Sequence, residues 1–177
     1  MPSPQTLTEE DRRLVAAWAA DCAERVLPLF EAEAPADGRA RDGIARARAF
    51  SRGELDAAGE IRRRFEAGRS AQSATSPAAK AAAWSAGQAS GVAHMGAHAL
   101  GAAAYAVKAA ELADPGRGGA AEIAWQRARM SAPVRSALRR LPLLGEDSAG
   151  PLGSGLLASG ALGAAIRTLQ EALAEHD

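Results

Sequence analysis

The sequence predicts an all-α protein: a compact bundle of five to seven helices with a long Ala/Gly-rich central helix. No run of β-branched or aromatic residues alternates with polar residues over four or more positions, so strand signals are nearly absent. Helix start signals, by contrast, recur along the chain and are followed by apolar residues at helical spacing. The 177 residues are the size of one domain, so residues 1–177 are expected to form a single helical domain.

The first helix is predicted to begin after Thr8, a capping residue followed by acidic residues that favour the helix dipole. Pro28 cannot donate a backbone hydrogen bond, so a kink or an early end is expected there. The apolar face of this helix consists of Val15, Trp18, Cys22, Val26 and Leu29.

Two further helices are predicted on either side of a second start signal. A turn at residues 34–38 leads into a helix from about Asp37 to Phe50. Ser51 and Glu54 then have the spacing of a capping box, which predicts the start of a third helix. Its inward face is expected to carry Leu55, Ala58, Ile61 and Phe65.

The central helix is predicted from Ser76 and Pro77, a capping residue with proline at the first helical position, to Leu112. An unbroken helix of this length would extend about 54 Å. That exceeds what a globule of this size can enclose, so a bend or break is expected near Gly87 to Gly91. Because small residues let helices approach closely, this segment is expected to be the most buried one.

The rest of the chain is predicted from its Pro and Gly punctuation. The expected order is a helix over residues 119–130, a short helix between Pro133 and Pro142, a loop over residues 142–155 and a C-terminal helix over residues 156–176. The Gly-rich part of the loop follows no strand and lacks the lysine of a phosphate loop, so it is interpreted as a linker. The predicted core includes Trp18, Ile44, Phe65, Leu100, Ile166 and Leu169, with Trp84 and Trp125 as further core residues.

Composition excludes several classes of function. Lys plus Arg and Asp plus Glu number 21 each, and this zero net charge argues against nucleic-acid binding. The basic run at residues 62–64 is surrounded by acidic residues and is interpreted as a solvated helix face. No membrane span and no signal peptide are expected. Cys22 is the only cysteine, which fits the cytoplasm. The excess of Arg over Lys, with abundant Ala, suggests a GC-rich bacterial genome.

His94 and His98 are the main candidates for a binding site. Four residues apart on a helix, they would share one face, as in a two-histidine metal site. Tyr105 extends the same stripe, and Asp21 or Cys22 could supply a third ligand if the first helix packs against the central one. A structural pair inside an Ala-rich core, a ligand or partner contact and a metal site all remain open.

No catalytic arrangement can be recognised around these residues. There is no Glu after the first histidine, so the metalloprotease signature is missing. Cys22 lies on an apolar face and is interpreted as an inert buried thiol, with no oxyanion device beside it. For Asp21, an i,i+4 ion pair with Arg25 is the simpler explanation. The sequence thus predicts no enzyme, no bound cofactor and no committed metal site.

Three stretches together carry a family resemblance. They are residues 18–31 (WAADCAERVLPLFE), residues 35–44 with 52–55 (PADGRARDGI and RGEL), and residues 93–109 (AHMGAHALGAAAYAVKA). They resemble the bacterial putative immunity protein family, whose Imm-5-like helical domain is assigned to toxin–immunity systems and is frequent in actinobacteria. The resemblance covers about residues 8–130. Ala40 stands where the family often has Pro.

The resemblance implies a cytoplasmic protein that binds and neutralises a cognate toxin and needs no catalytic residue. A homodimer is compatible with this role. The alternative from the residues themselves is a small-molecule- or metal-binding helical domain, with or without catalysis, that uses a His94/His98 site. A structural or interaction module is the third interpretation.

Overall fold

The computed structural model describes residues 1–175, and over this range it contains helices and no strand. The α-helices are α1 (Glu9–Glu31), α2 (Arg39–Ser51), α3 (Ala57–Arg63), α4 (Glu66–Arg69), α5 (Pro77–Gly91), α6 (His98–Ala113), α7 (Gly118–Arg129), α8 (Ala132–Leu138) and α9 (Gly160–Ala174). Short 3₁₀ helices lie at Pro4–Thr6, Ser70–Ser73 and Leu156–Ala158. The all-α bundle is confirmed. Within residues 1–175, eight α-helices have seven residues or more, so the expected five to seven was too few.

Helix α1 begins where the sequence predicted and runs further than expected. The Thr8 side chain accepts a hydrogen bond from the backbone N–H of Asp11 (3.1 Å). Pro28 does not end the helix, which continues to Glu31 with Pro28 exposed to solvent. The predicted apolar face is buried except for Leu29, which is partly exposed. This face packs against α2, α5 and α6, so α1 does lie against the central segment.

The central segment is two helices rather than one long helix. It starts at Ser76 and Pro77 as predicted, with the Ser76 hydroxyl accepting from the N–H of Ala79 (3.2 Å). The break falls at residues 92–97, just beyond the expected position, and α6 folds back antiparallel to α5. The N-terminal segment closes this turn: the N–H groups of Gly96 and Ala97 donate to the carbonyls of Thr6 and Gln5 (3.0 Å each). A Cβ on Gly96 would lie 2.4 Å from the end of the Leu7 side chain, so any larger residue here would require Leu7 to move.

The predicted capping box at Ser51 was wrong. Ser51 is the last residue of α2, and its hydroxyl donates to the carbonyl of Arg48 (2.6 Å). Helix α3 is capped instead by Asp56, which accepts from the N–H of Gly59 (2.7 Å). Gly53, at a φ of +78°, reverses the chain between the two helices, so the third helix starts later than predicted.

The predicted core is confirmed at Trp18, Ile44, Leu100, Ile166 and Leu169, all buried. It was wrong at Phe65, which is 56% exposed. Helix α3 ends at Arg63 and α4 starts only at Glu66, so the helical phase that placed Phe65 inward does not extend to it. Trp84 is 44% exposed and Trp125 is partly exposed, so of the three tryptophans only Trp18 is a core residue.

The C-terminal third of the chain packs over α6 and forms hydrogen bonds that hold the N-terminal segment in place. Gln5, fully buried, donates to the carbonyl of Asp147 (2.7 Å) and accepts from the N–H of Leu152 (2.8 Å), which ties the predicted loop to the N-terminal segment. Helix α9 packs on α6. Its regular part begins at Gly160 rather than at 156, and its predicted end at residue 176 lies outside the described residues. In the range that the structure describes, no helix has the length and apolarity needed to cross a membrane.

Candidate functional site

A surface cavity with a volume of about 600 Å³ lies where α3 and α4 meet α5 and the start of α6. We call it the histidine cavity. Its lining comprises Arg64, Phe65, Gly68, Arg69, Trp84, Gly87, Gln88, Gly91, His94 and His98. Both predicted histidines are therefore at the same site, together with residues from a chain segment some 30 positions earlier.

Glycines let the helices approach closely enough to form the cavity walls. A Cβ on Gly87 would lie 2.7 Å from the Cα of Gly68, so α4 and α5 touch backbone to backbone at this point. A Cβ on Gly91 would lie 3.1 Å from the His98 ring, which rests on the backbone of α5. The contact between Gly68 and Gly87 leaves no room for a side chain, and the one between Gly91 and His98 is tight, so close packing fixes the cavity walls.

His98 is held in place by Gln88. Its Nδ1 lies 2.8 Å from the Oε1 of Gln88, so with the amide oriented this way Nδ1 carries the proton and Nε2 is left as an acceptor. Burial lowers the pKa of His98 to about 4, and the positive charge of Arg64 acts in the same direction. The ring is therefore neutral at pH 7.

His94 reaches the cavity by a route that the sequence did not predict. It lies in the turn between α5 and α6, whereas His98 is the first residue of α6, so the two do not share one helix face. Their ring centroids are nevertheless 6.4 Å apart. Burial lowers the pKa of His94, with smaller effects of Arg64 and Arg12, so this ring is also neutral at pH 7.

Two arginines make the rim of the cavity positive. The guanidinium of Arg64 donates to the carbonyl of Ile61 (2.5 Å) and lies 4.3 Å from the ring centre of Phe65. Arg69 is exposed. Within residues 1–175, neither arginine has a carboxylate within ion-pair distance; the nearest acidic neighbour in sequence, Glu66, is paired with Arg63 at 2.9 Å.

The aromatic residues of the site form its apolar part. Phe65 and Trp84 are the two exposed aromatic side chains of the described chain, and both line the cavity. Behind Trp84, the ring of Tyr105 is stacked at a centroid distance of 6.4 Å. Tyr105 is buried, and burial raises the pKa of its hydroxyl. It therefore supports the wall of the cavity from behind.

Asp21 and Cys22 are not part of the cavity lining. Asp21 pairs with Arg48 (2.6 Å) and Arg129 (3.7 Å), and not with the Arg25 that the sequence suggested. Cys22 is fully buried, and burial raises the pKa of its thiol well above the usual range, which makes it a poor nucleophile. In the described part of the chain, no group of three or more His, Cys, Asp or Glu side chains is arranged to hold a metal ion.

Asp21 belongs to a second surface site, which we call the paired cluster. It comprises Asp21, Arg25, Arg48, Glu122, Trp125 and Arg129. Arg25 donates to the buried carboxylate of Glu122 (3.3 Å), and its guanidinium lies 4.4 Å from the ring centre of Trp125. Arg129 lies 5.5 Å from the same ring. Each arginine of this cluster thus meets a carboxylate of its own chain.

Sequence reasoning missed Arg64, Phe65, Arg69, Trp84 and Gln88. The sequence pattern favours a solvated face for the basic run and a core position for Phe65. The one available signal was the glycine spacing in α5, since glycines at 87 and 91 mark one helix face on which neighbours can approach closely.

Residues 5–133 match the model of the family described as "Imm-5 like putative immunity protein". The match spans most of the chain and includes every residue that lines the histidine cavity. No curated protein and no solved structure shows a significant match.

Proposed function

The chain belongs to the Imm-5 like putative immunity protein family, and on this premise we propose that it binds a cognate bacterial toxin in the cytoplasm and neutralises it. Family membership is the observation that carries the proposal. An immunity protein acts by occupying a surface of its toxin, so it needs an exposed recognition site rather than catalytic residues.

The composition of the histidine cavity supports binding over catalysis. Its described lining contains two neutral histidines, two arginines and two exposed aromatic rings, without a carboxylate or a thiol. A neutral histidine can act as a general base, but the described lining contains no Ser, Thr, Cys or carboxylate nucleophile for it to activate. Trp, Tyr and Arg are instead the residues that dominate the binding energy of protein interfaces.

A small-molecule site is the second candidate function, and the cavity itself favours it. A volume of about 600 Å³ is within the range of ligand pockets. A metal site has less support, because the described lining contains no Cys, Asp or Glu side chain that could bind a metal together with His94 and His98.

Co-expression tests the toxin-binding proposal. Each gene that neighbours the gene of this protein is expressed in a sensitive bacterial host, alone or with the immunity protein, and a product that arrests growth is the candidate toxin. We expect growth to be restored only by co-expression. Purified partners should form a complex whose mass by light scattering gives the stoichiometry and shows whether the immunity protein acts as a homodimer. Continued growth arrest, with no complex between the purified proteins, would contradict the proposal.

A further inference from the structure

In the described residues, arginines lie against an aromatic ring at three places: Arg13 on Phe50, Arg25 and Arg129 on Trp125, and Arg64 on Phe65. Arg13 pairs with Glu9, so of the three places only the one at Phe65 has no carboxylate partner. In the paired cluster, Arg25 and Arg129 flank Trp125, and carboxylates of the same chain neutralise them. Guanidinium groups bind carboxylates through paired, charge-assisted hydrogen bonds. In the paired cluster, the charges of the arginines beside the aromatic ring are therefore neutralised by carboxylates of the same chain.

The histidine cavity has the same chemistry without the carboxylate. Arg64 lies against Phe65 as Arg25 lies against Trp125, at nearly the same distance (4.3 and 4.4 Å). At least eleven of the chain's arginines form ion pairs with carboxylates among the described residues. Arg64 and Arg69 are among the described arginines that form none, and they are the two that line the histidine cavity.

The histidines cannot balance the charge of the arginines, because an imidazole is either neutral or positive and never negative. His98 has its Nδ1 engaged by Gln88, and both rings are uncharged at pH 7. The cavity therefore combines a net positive rim with an apolar wall formed by Phe65 and Trp84. A ligand that fits it has to bring a negative charge and an apolar surface together.

We propose that the histidine cavity is the docking site for the toxin and takes a protruding loop with an Asp or Glu side chain next to an apolar one. The carboxylate binds Arg64 and Arg69, and the apolar neighbour packs between Phe65 and Trp84. The volume exceeds that of a single side chain, so a loop fills it better than an isolated residue. This inference rests on the proposed function and adds the site and the chemistry of the partner.

The arginine pair is tested by charge reversal, with affinity for the toxin measured by isothermal titration calorimetry. We expect the Arg64→Glu, Arg69→Glu double variant to bind the toxin at least about tenfold more weakly than wild type. The introduced carboxylates would repel the carboxylate of the toxin loop. The Arg62→Glu, Arg167→Glu double variant is the matched control: it changes the net charge by the same amount, and both arginines are exposed and outside the cavity lining. It should bind like wild type. Far-UV circular dichroism and melting temperature verify that both variants are folded.

A compensating change in the toxin makes the test specific. The toxin's exposed Asp and Glu residues are replaced by Lys one at a time. We expect one such variant to lose binding to wild type and to regain it with the Arg64→Glu, Arg69→Glu variant. A Trp84→Phe protein should lack the change in tryptophan fluorescence that toxin binding causes in wild type.

Different results separate the two proposals. If wild type binds the toxin and the Arg64→Glu, Arg69→Glu variant binds equally well, the docking site is wrong while the proposed function stands. If wild type does not bind the toxin but binds free indole-3-acetate through Arg64 and Arg69, toxin binding fails, and with it the docking inference, and the cavity is a small-molecule site. If neither binds, both proposals are overturned.

Discussion

The paired cluster and the histidine cavity contain the same residue types but differ in whether carboxylates pair with their arginines. Both place a guanidinium against an aromatic ring on the protein surface. In the paired cluster the carboxylates of Asp21 and Glu122 complete the arrangement, and it joins α1 to α2 and α7. In the cavity no described carboxylate does so, and the arginines remain available. An arginine–aromatic surface stabilises the fold where its counter-charges are internal, and is suited to recognition where they are not.

The largest effect is expected from the backbone contact that forms the cavity. Gly87→Ala would place a Cβ 2.7 Å from the Cα of Gly68, and backbone cannot move aside as a flexible side chain can. We expect a loss of about 3 kcal/mol in the free energy of unfolding, measured by urea denaturation. Gly38→Ala is the control, since its Cβ would meet open space. Equal stability of the two variants would show that the α4–α5 contact is less tight than described.

Acid should lower the free energy of unfolding, because His98 is buried in its neutral form. Its pKa is about 4 in the folded protein, against an ordinary value of 6.5 for a solvent-exposed histidine, as in the unfolded chain. As the pH falls from 6.5 towards 4, the unfolded chain gains a proton that the folded chain does not accept, so stability is lost across this window. Above pH 6.5 both states are neutral and the contribution is fully present.

The loss attributable to His98 should be about 2 kcal/mol, allowing for the partial exposure of its ring. The measurement is the difference in unfolding free energy between pH 7.5 and pH 4, compared for wild type and His98→Asn. Other groups titrate in both proteins and cancel. If the stability difference between pH 7.5 and pH 4 is the same in His98→Asn as in wild type, the pKa of His98 in the folded protein is not lowered.

A pair of arginine deletions compares the two sites directly. Arg25→Ala leaves the buried carboxylate of Glu122, whose pKa burial already raises, without its cation. We expect a loss of about 1 kcal/mol for this variant, because Arg25 itself is largely exposed. Arg64→Ala, which separates no ion pair, should change stability by less than about 0.5 kcal/mol. If Arg64→Ala costs as much as Arg25→Ala, the cavity arginine is structural and the contrast between the sites disappears.

The smallest effect on stability is expected at Trp84. Because Trp84 is 44% exposed, Trp84→Phe should alter the unfolding free energy by no more than about 0.5 kcal/mol. Acrylamide quenching should nevertheless change clearly, since the remaining Trp18 is buried and Trp125 is covered by arginines. Unaltered quenching would show that the aromatic wall of the cavity is closed in solution.

The sequence predicted those parts of the candidate site whose residues lie close together in the chain. His94 and His98 were placed together from their spacing, and they do meet, although through a turn and not along one helix. Asp21 and Cys22 were assigned to the same site because α1 was expected to pack on the central segment. That packing is present, but α1 directs Asp21 towards Arg48 and Arg129. Which side of a packed helix meets which partner depends on rotation about its axis, and spacing within one helix does not specify it.

The sequence by itself determined the fold class, the start of α1 at Thr8 and of α5 at Ser76, and the apolar face of α1. Caps and amphipathic periodicity act within one or two helical turns, so the information is local. Only the tertiary structure decided that the central segment folds into a hairpin and that Arg64, Phe65 and Arg69 meet the histidines. Those contacts depend on how closely Gly68 can approach Gly87 and on the N-terminal segment closing the turn at Gly96. They join residues far apart in the chain, and the free energy of such packing comes from shape complementarity that no single segment contains.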